Sequence, residues 1–323
     1  MATVLITGSE GNLGSYICKR LYKTHPSWKV IRIKHAQGAC RFNSETGIYE
    51  GDLCDAVLLE RLFAEHQIEY VIHAASKSYS HGGYNAHPFS IIDNDTSLLL
   101  NLLRHSRSAS KFIYLSSALI YEHSVYSPLE EDMSNLLTPT SSYGVAKWFG
   151  ENAVRMFHIE HGVNFTIWRP FNIVSPLEPH EGEGRHVFVD FFRRLFIQSV
   201  PEFSIMGSGN QVRCFMWVED AADCIVDNLE KIESNSQTFN LARDEPITLL
   251  DLKDLLLDLG HEMHLLPQNY NPPTIKRGIF SGVESEVRVP SVKKLKSLLM
   301  WESNTTVREC FYKFIKGKLE NDY

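Results

Sequence analysis

Tyr143 and Lys147 stand four residues apart in Ser142-Tyr143-Gly144-Val145-Ala146-Lys147, a stretch that reads as helix. Residues at this spacing share one helix face. A tyrosine at its reference pKa of about 10 is protonated at neutral pH and is a poor base. An ammonium beside it stabilises the phenolate and lowers that pKa. The pair is therefore a candidate acid/base centre, although Tyr-x-x-x-Lys alone also describes two residues on a half-exposed helix face.

A second chemical signal lies at the start of the chain. Thr3-Val4-Leu5-Ile6-Thr7 is a short β-branched, apolar run of the kind that forms a buried parallel strand. Gly8-Ser9-Glu10-Gly11-Asn12-Leu13-Gly14 follows, and then Ile17 and Leu21 recur at helical spacing. The glycines thus sit where a strand turns into a helix. Glycine there lets a phosphate approach the backbone, and the helix N-terminus offers N–H groups and a positive dipole end. The expectation is a dinucleotide site.

Elements that would position these groups alternate along the chain. Strands are expected at Val30–Ile33, Val71–Ala74, Ile113–Ser116 and Phe165–Arg169, and helices at Ala56–His66, Ala86–His105 and Tyr143–His161. Such alternation implies a doubly wound α/β fold with a parallel sheet, and ligands at the carboxyl ends of its strands. After Pro176 the pattern changes. A polar loop, His180–Gly184, precedes an expected helix at Val187–Gln198, then short strands, a helix at Glu219–Ile232, a loop-rich 270–290 and a helical tail from Thr305 to Leu319. The predicted organisation is a dinucleotide-binding part over 1–175, with a returning segment about 212–245, and a smaller, discontinuous substrate lobe mainly within 176–323.

The chain has 323 residues, 43% of them hydrophobic, enough for one large domain or two lobes. A net charge of −7 argues against nucleic acid as the main partner. No run approaches the roughly 18 apolar residues needed to span a bilayer. Met1-Ala2-Thr3-Val4 enters a strand at once and leaves no room for a signal peptide. The six cysteines lack metal-ligand spacing and read as reduced cytoplasmic thiols.

The glycine spacing is Gly-x-x-Gly-x-x-Gly, and with Tyr143 and Lys147 it resembles the extended short-chain dehydrogenase/reductase superfamily. Val71-Ile72-His73-Ala74-Ala75 resembles that family's fourth strand, and the run from Phe112 through Ser116-Ser117 to Tyr121 its fifth strand with a catalytic serine. Arg169-Pro170-Phe171-Asn172 resembles the sixth strand with a substrate-binding asparagine, and Val212–Asp220 is similar to a further family motif. In order and spacing the likeness spans nearly the whole chain and lies with nucleotide-sugar epimerases, dehydratases and reductases. It implies a Rossmann-type sheet, a catalytic set of Ser117, Tyr143 and Lys147, and a nucleotide-diphosphate sugar as partner. Ser117 is preferred to Ser116 because it stands four residues before Tyr121. Asn94 or Asn101 would contribute from the long helix.

By the same resemblance the cofactor is held by Gly8, Glu10, Gly11, Asn12, Leu13, Gly14, Asp52, Leu53, Ala74, Ala75, Ser76 and Pro170, together with Tyr143 and Lys147. An acid at the end of the second strand would take the ribose hydroxyls of NAD. Here that strand ends in Arg32-Ile33-Lys34-His35, with Arg41 beyond, which favours NADP over NAD. Substrate contacts are expected from Ser117, Asn172, His186, Asp190, Arg213 and Arg277, with Arg288 a further candidate; a guanidinium fork suits phosphate oxygens. Ser76–Gly83 is expected to overhang the sugar.

Family dehydratases carry an Asp-Glu pair after the serine, where this chain has Ala118-Leu119. Dehydration is thereby disfavoured. Fucose-synthase-like epimerase/reductases carry a cysteine where Leu119 stands, and a histidine fourteen residues after the asparagine, where His186 stands. Two readings follow: 4-epimerisation through a transient 4-keto sugar, and one-way reduction of a 4-keto sugar by NADPH. A third is a catalytically silent cofactor-binding sensor or scaffold. The long helix and the Tyr143 helix, with Leu98, Leu99, Leu102, Trp148 and Phe149, are expected to pair with their copies in a homodimer.

Overall fold

The computed structural model describes residues 2–36, 41–43, 48–76, 87–179, 186–278 and 286–321. Its centre is an eight-stranded sheet. Strand β1 (Thr3–Thr7) lies between β2 (Lys29–His35) and β5 (Tyr70–His73), parallel to both, with Thr7 level with Ile33 and His73. Beyond β5 come β6 (Lys111–Leu115), β7 (Asn164–Pro170) and β11 (Gln237–Leu241), all parallel. Beyond β2 come β4 (Ile48–Gly51), parallel, and the antiparallel edge strand β3 (Arg41–Asn43). The chain runs outward from β1 in one direction and then in the other, so a crevice opens at the carboxyl ends of β1 and β5.

Alternation along β1 explains the layers. Val4 and Ile6 pack into one apolar cluster with Ile17, Leu21, Ala221 and Ile225, whereas Leu5 packs into the other with Leu59, Leu102 and Val154. The helices Asn12–Thr24 and Val218–Asp227 thus cover one face, and Ala56–Glu65, Pro88–His105 and Ser142–His161 the other. Full burial of each such aliphatic side chain stabilises the fold by about 1.5–3 kcal/mol.

A second group of strands starts immediately after β7. Strand β8 (Asn172–Val174) leaves the main sheet and pairs in parallel with β10 (Val212–Trp217), which takes β12 (Pro246–Thr248) on its other side. A ribbon of β9 (Phe203–Met206) and β13 (Thr274–Arg277) lies apart. Phe188, Phe192 and Phe314 pack edge-to-face at 5.2–5.3 Å in the apolar cluster that also holds Val4 and Ile6.

Several elements differ from the sequence expectation. The long helix starts at Pro88, whose ring presets the first helical φ. The Val187 helix is α-helical only to Phe192 and continues as a π-helical turn over Arg193–Ile197. The helix expected over Glu219–Ile232 stops at Asp227. Helices Leu249–Glu262 and Lys293–Leu299 and strands β4 and β13 were not anticipated. The first of these was legible: Leu252 and Leu256 recur at i and i+4, and the Thr248 hydroxyl caps it by accepting from the Asp251 N–H at 3.0 Å.

Candidate active site

The glycine loop is shaped by backbone contact. Gly8 has φ +67°, and a Cβ there would lie 2.7 Å from the Ala75 nitrogen. A Cβ at Gly14 would lie 2.0 Å from the Gly8 oxygen. Gly11 donates to the Gly8 carbonyl at 3.0 Å, and no side chain caps the helix of Asn12, Leu13 and Gly14 that begins there. The loop therefore brings a helix N-terminus beside β1, as an anion site requires. Opposite it, Ala74 and Ala75 donate to the carbonyl and hydroxyl of Thr7 at 3.3 and 3.2 Å. Thr7 also shares a 2.8 Å hydrogen bond with His73. Burial pushes the His73 imidazole down to about 3, helped by the Lys147 charge and opposed by Asp95, so it is neutral and structural.

At the end of β2, Lys34 lies 3.4 Å from Glu10 of the glycine loop, both half-exposed. Arg32 stands level with Ile48 of β4; the Arg41 side chain lies outside the described residues. Asp52 accepts from the Cys54 N–H at 2.9 Å, and the Leu53 carbonyl accepts from the Asn101 amide at 2.6 Å. Asn101 is thus committed to this turn.

The catalytic candidates converge at the crevice. The Ser142–His161 helix is anchored at its start: Ser141 accepts from the Gly144 N–H at 3.0 Å, and buried Glu122 accepts from the Ser141 N–H at 2.7 Å and from the Thr140 N–H. One residue into this helix, the Tyr143 phenol hydrogen-bonds with Ser76 and Ser117. Ser117 also caps a short 3-10 turn, accepting from the Leu119 N–H at 3.1 Å. The buried Lys147 ammonium lies 5.3 Å from the Tyr143 ring centre and 3.6 Å from Asp95 Oδ2. The same Asp95 oxygen accepts from the Ser76 hydroxyl at 2.6 Å.

This geometry changes the electrostatics expected from sequence. Burial raises the Tyr143 pKa above its ordinary value and the Asp95 charge adds to the rise, while hydrogen bonds with Ser76 and Ser117 oppose it. Lys147 has the Asp95 carboxylate beside it, and the net result is a raised phenol pKa. Asp95 was missed in the sequence, yet it carried a signal. It occupies the buried stripe Ile91, Asp95, Leu99, Leu102, where a carboxylate needs a partner.

Ser116 points elsewhere, donating to Glu151 Oε1 at 2.6 Å. Glu151 is gripped by Arg169 through two bonds of 2.8 and 2.7 Å. Arg169 also donates to the Tyr121 hydroxyl at 2.6 Å, the Glu131 carbonyl at 2.7 Å and the Ser134 hydroxyl at 2.8 Å. The two serines should therefore separate on substitution. Ser117→Ala should slow turnover about tenfold or more with little change in melting temperature. Ser116→Ala should lower stability by about 1–3 kcal/mol with turnover near wild type. Assaying both variants for rate and unfolding checks this, and the reverse pattern would assign the role to Ser116.

On the substrate side, Asn172 donates from β8 to the Cys214 carbonyl of β10 at 2.8 Å. Arg213 is buried beside it and donates to the carbonyls of Val212 and Glu286 at 2.9 and 3.1 Å. Buried Arg288 joins the same stretch, its N–H donating to the Val212 carbonyl at 3.1 Å. His186 lies 2.5 Å from the buried carboxylate of Glu178 and stacks on Phe188 at 5.8 Å. Asp190 pairs with Arg194 at 3.1 Å, one turn along the same helical run. Arg277 is exposed at the end of β13, and Pro170 closes β7 opposite Leu241. Residues 77–83 of the expected sugar-facing loop and the loop 180–184 lie outside the described residues.

Residues 4–242 match the NAD dependent epimerase/dehydratase family. GDP-L-fucose synthase 1 of Arabidopsis thaliana is 25% identical over 266 residues, 80% of this chain and 78% of that protein. The dTDP-D-glucose 4,6-dehydratase of Homo sapiens is 25% identical over 268 residues, 80% of this chain and 74% of that protein. The crystal structure of UDP-glucose 4-epimerase from Thermotoga maritima, with UDP-glucose, superposes with a TM-score of 0.85 at 24% identity, covering 99% of this chain and 100% of that one; this likeness establishes the fold. With a sequence match from β1 through β11, the chain belongs to the NAD dependent epimerase/dehydratase family and is an enzyme of the extended short-chain dehydrogenase/reductase type.

Proposed function

We propose that the protein is a nucleotide-sugar 4-epimerase acting through a transient 4-keto sugar. The observation that carries this reading is the phenol of Tyr143, held by Ser76 and Ser117 at the β1/β5 crevice with Lys147 alongside. The positions after Ser117 are the buried, apolar Ala118 and Leu119, which move no protons, so the acid/base work falls to one group. The glycine loop and the Ala74–Ser76 turn suit a dinucleotide, because the loop packs against that turn and sets an uncapped helix N-terminus at the end of β1, and a Cβ at Gly8 or Gly14 would clash with the backbone that shapes it. When bound, the nicotinamide supplies hydride exchange at C4. Tyr143 takes the C4 hydroxyl proton as the alcohol is oxidised and returns it as the ketone is reduced. Ser117 hydrogen-bonds the reacting oxygen, and Lys147 holds the nicotinamide ribose.

For the partner we favour a nucleotide-diphosphate sugar, its phosphates held by Asn172 and Arg213, with Arg288 close to the latter. We assign cofactor binding mainly to 1–175 and substrate binding mainly to the later lobe. Phe89 (77% exposed) and Met156 and Ile159 (57% and 73%) add apolar surface to the two helices proposed to pair in a homodimer. A cytoplasmic location accords with the five described cysteines, all free. Among the described residues no helix is long and apolar enough to cross a membrane.

The second reading, NADPH-dependent reduction of a 4-keto sugar, draws support from the end of β2. Arg32 and Lys34 stand there without a carboxylate for a ribose 2′-hydroxyl, and a 2′-phosphate would compete with Glu10 for Lys34. Denaturing the purified protein and assaying the supernatant for nicotinamide separates the two. A near-stoichiometric yield, with interconversion of a nucleotide sugar and no net cofactor consumption, is expected for the epimerase. Cofactor-free protein that oxidises added NADPH with a 4-keto sugar would replace it with the reductase.

A further inference from the structure

The Asp95 carboxylate binds two parts of the centre at once: the Lys147 ammonium at 3.6 Å and the Ser76 hydroxyl at 2.6 Å. It comes from the Pro88–His105 helix, is itself 7% exposed, and meets the lysine that lies over the Tyr143 ring. We propose that Asp95 is a positioning residue that holds Lys147 and Ser76 beside Tyr143 and sets how readily that phenol gives up its proton.

The surroundings of the phenol support a dominant role for this one carboxylate among the described residues. Lys147 comes from the phenol's own helix and Asp95 from the helix packed against it. Tyr114 of β6 faces the same ammonium at 5.4 Å, and burial raises its pKa, so it is neutral. His73 of β5 is neutral as well. Glu151, whose charge also reaches Tyr114, is taken by Arg169. Asp95 is thus the anion whose charge reaches Tyr143, and it acts in the direction that keeps the proton on the phenol. At a separation of several ångströms and an effective dielectric near 20, one such charge is worth about one pH unit or more.

The proposal rests on Tyr143 as the acid/base group, and its test is independent of turnover. Phenolate absorbance is titrated in four proteins: wild type, Tyr143→Phe, Asp95→Asn and the double variant. Subtracting each protein that carries Tyr143→Phe from its parent isolates the Tyr143 phenol. Its midpoint should fall by about one pH unit or more in Asp95→Asn, a tenfold or greater gain in acidity. Where a substrate is in hand, the acidic limb of the rate of hydroxyl oxidation should move down by the same amount. An unchanged Tyr143 midpoint in folded Asp95→Asn would overturn the proposal and leave Asp95 a structural ion-pair partner. Should Asp95→Asn not fold, Asp95→Ser and Asp95→Glu make the comparison: the first must shift the midpoint down and the second must leave it near wild type. Absence of turnover with every nucleotide sugar would count against the epimerase and reductase readings while the titration still reports on Asp95.

Discussion

Replacing Tyr143 by phenylalanine should cut turnover by about 10²–10⁴-fold, the usual contribution of a positioned general acid or base, and leave fold and cofactor content close to wild type. The substitution removes one oxygen. The ring keeps its place over Lys147. Ser76 retains Asp95 as acceptor, and Ser117 retains the Leu119 N–H as donor. Among the described residues the two hydroxyls that meet the phenol both keep a partner, so the stability change should stay within about 1 kcal/mol. Turnover, bound nicotinamide and melting temperature measured on the same preparation check all three expectations. Activity within about tenfold of wild type would remove Tyr143 from the chemistry and return attention to the sensor or scaffold reading.

The largest effect on stability is expected from Arg169→Met. Arg169 is almost fully buried, and it ties β7 to the Ser142–His161 helix through Glu151, to the 3-10 turn through Tyr121 and to the segment around Ser134. Tyr121 passes the network on to β11 by donating to Asn240 at 2.8 Å. Removing one partner of a buried pair leaves the other charge uncompensated, at a cost of about 3–5 kcal/mol. Arg155, 2.8 Å from Glu151, offsets part of this. Equilibrium unfolding in denaturant checks the magnitude, and a loss below about 1 kcal/mol would show that Arg155 alone suffices.

The pH dependence of that loss has a definite sign. In the wild type, burial pushes the Glu151 carboxyl up, but hydrogen bonds and charge from Arg169, with help from Arg155 and Ser116, bring it below the ordinary value. A lowered folded pKa contributes stability that is present above the unfolded pKa, about 4.3, and is lost as pH falls through the folded value. Without Arg169, burial dominates and the carboxyl shifts up, so the variant is penalised most at neutral pH and recovers on acidification. The stability gap between the two proteins should therefore narrow as pH falls below about 5. A gap that stays constant would mean that Glu151 titrates alike in both proteins, with Arg155 holding its charge in the variant.

Much of this protein is written in local spacing. The apolar run Thr3–Thr7, the three glycines and the helical repeat after them announce a strand, an anion turn and a helix, because each depends on residues a few positions apart. The alternation of strands and helices set the fold class by the same logic, and the four-residue step from Tyr143 to Lys147 placed them on one face. Sequence was weaker where position is decided by distant partners. Asn101 holds the Leu53 carbonyl, Ser116 faces a buried carboxylate, and Arg169 is a structural hub.

The charge state of the centre was decided by tertiary structure alone. Lys147 was expected to lower the Tyr143 pKa, but the parallel order of β1, β5 and β6 brings Asp95 and Ser76 to the same crevice, and the phenol is held above its ordinary value. Helical spacing marks Asp95 as buried without naming its partner. Which groups can do chemistry is legible in the chain, because side-chain type and periodicity are local properties. Which of them meet depends on the folded arrangement, because a desolvated charge is governed by its nearest neighbour in space.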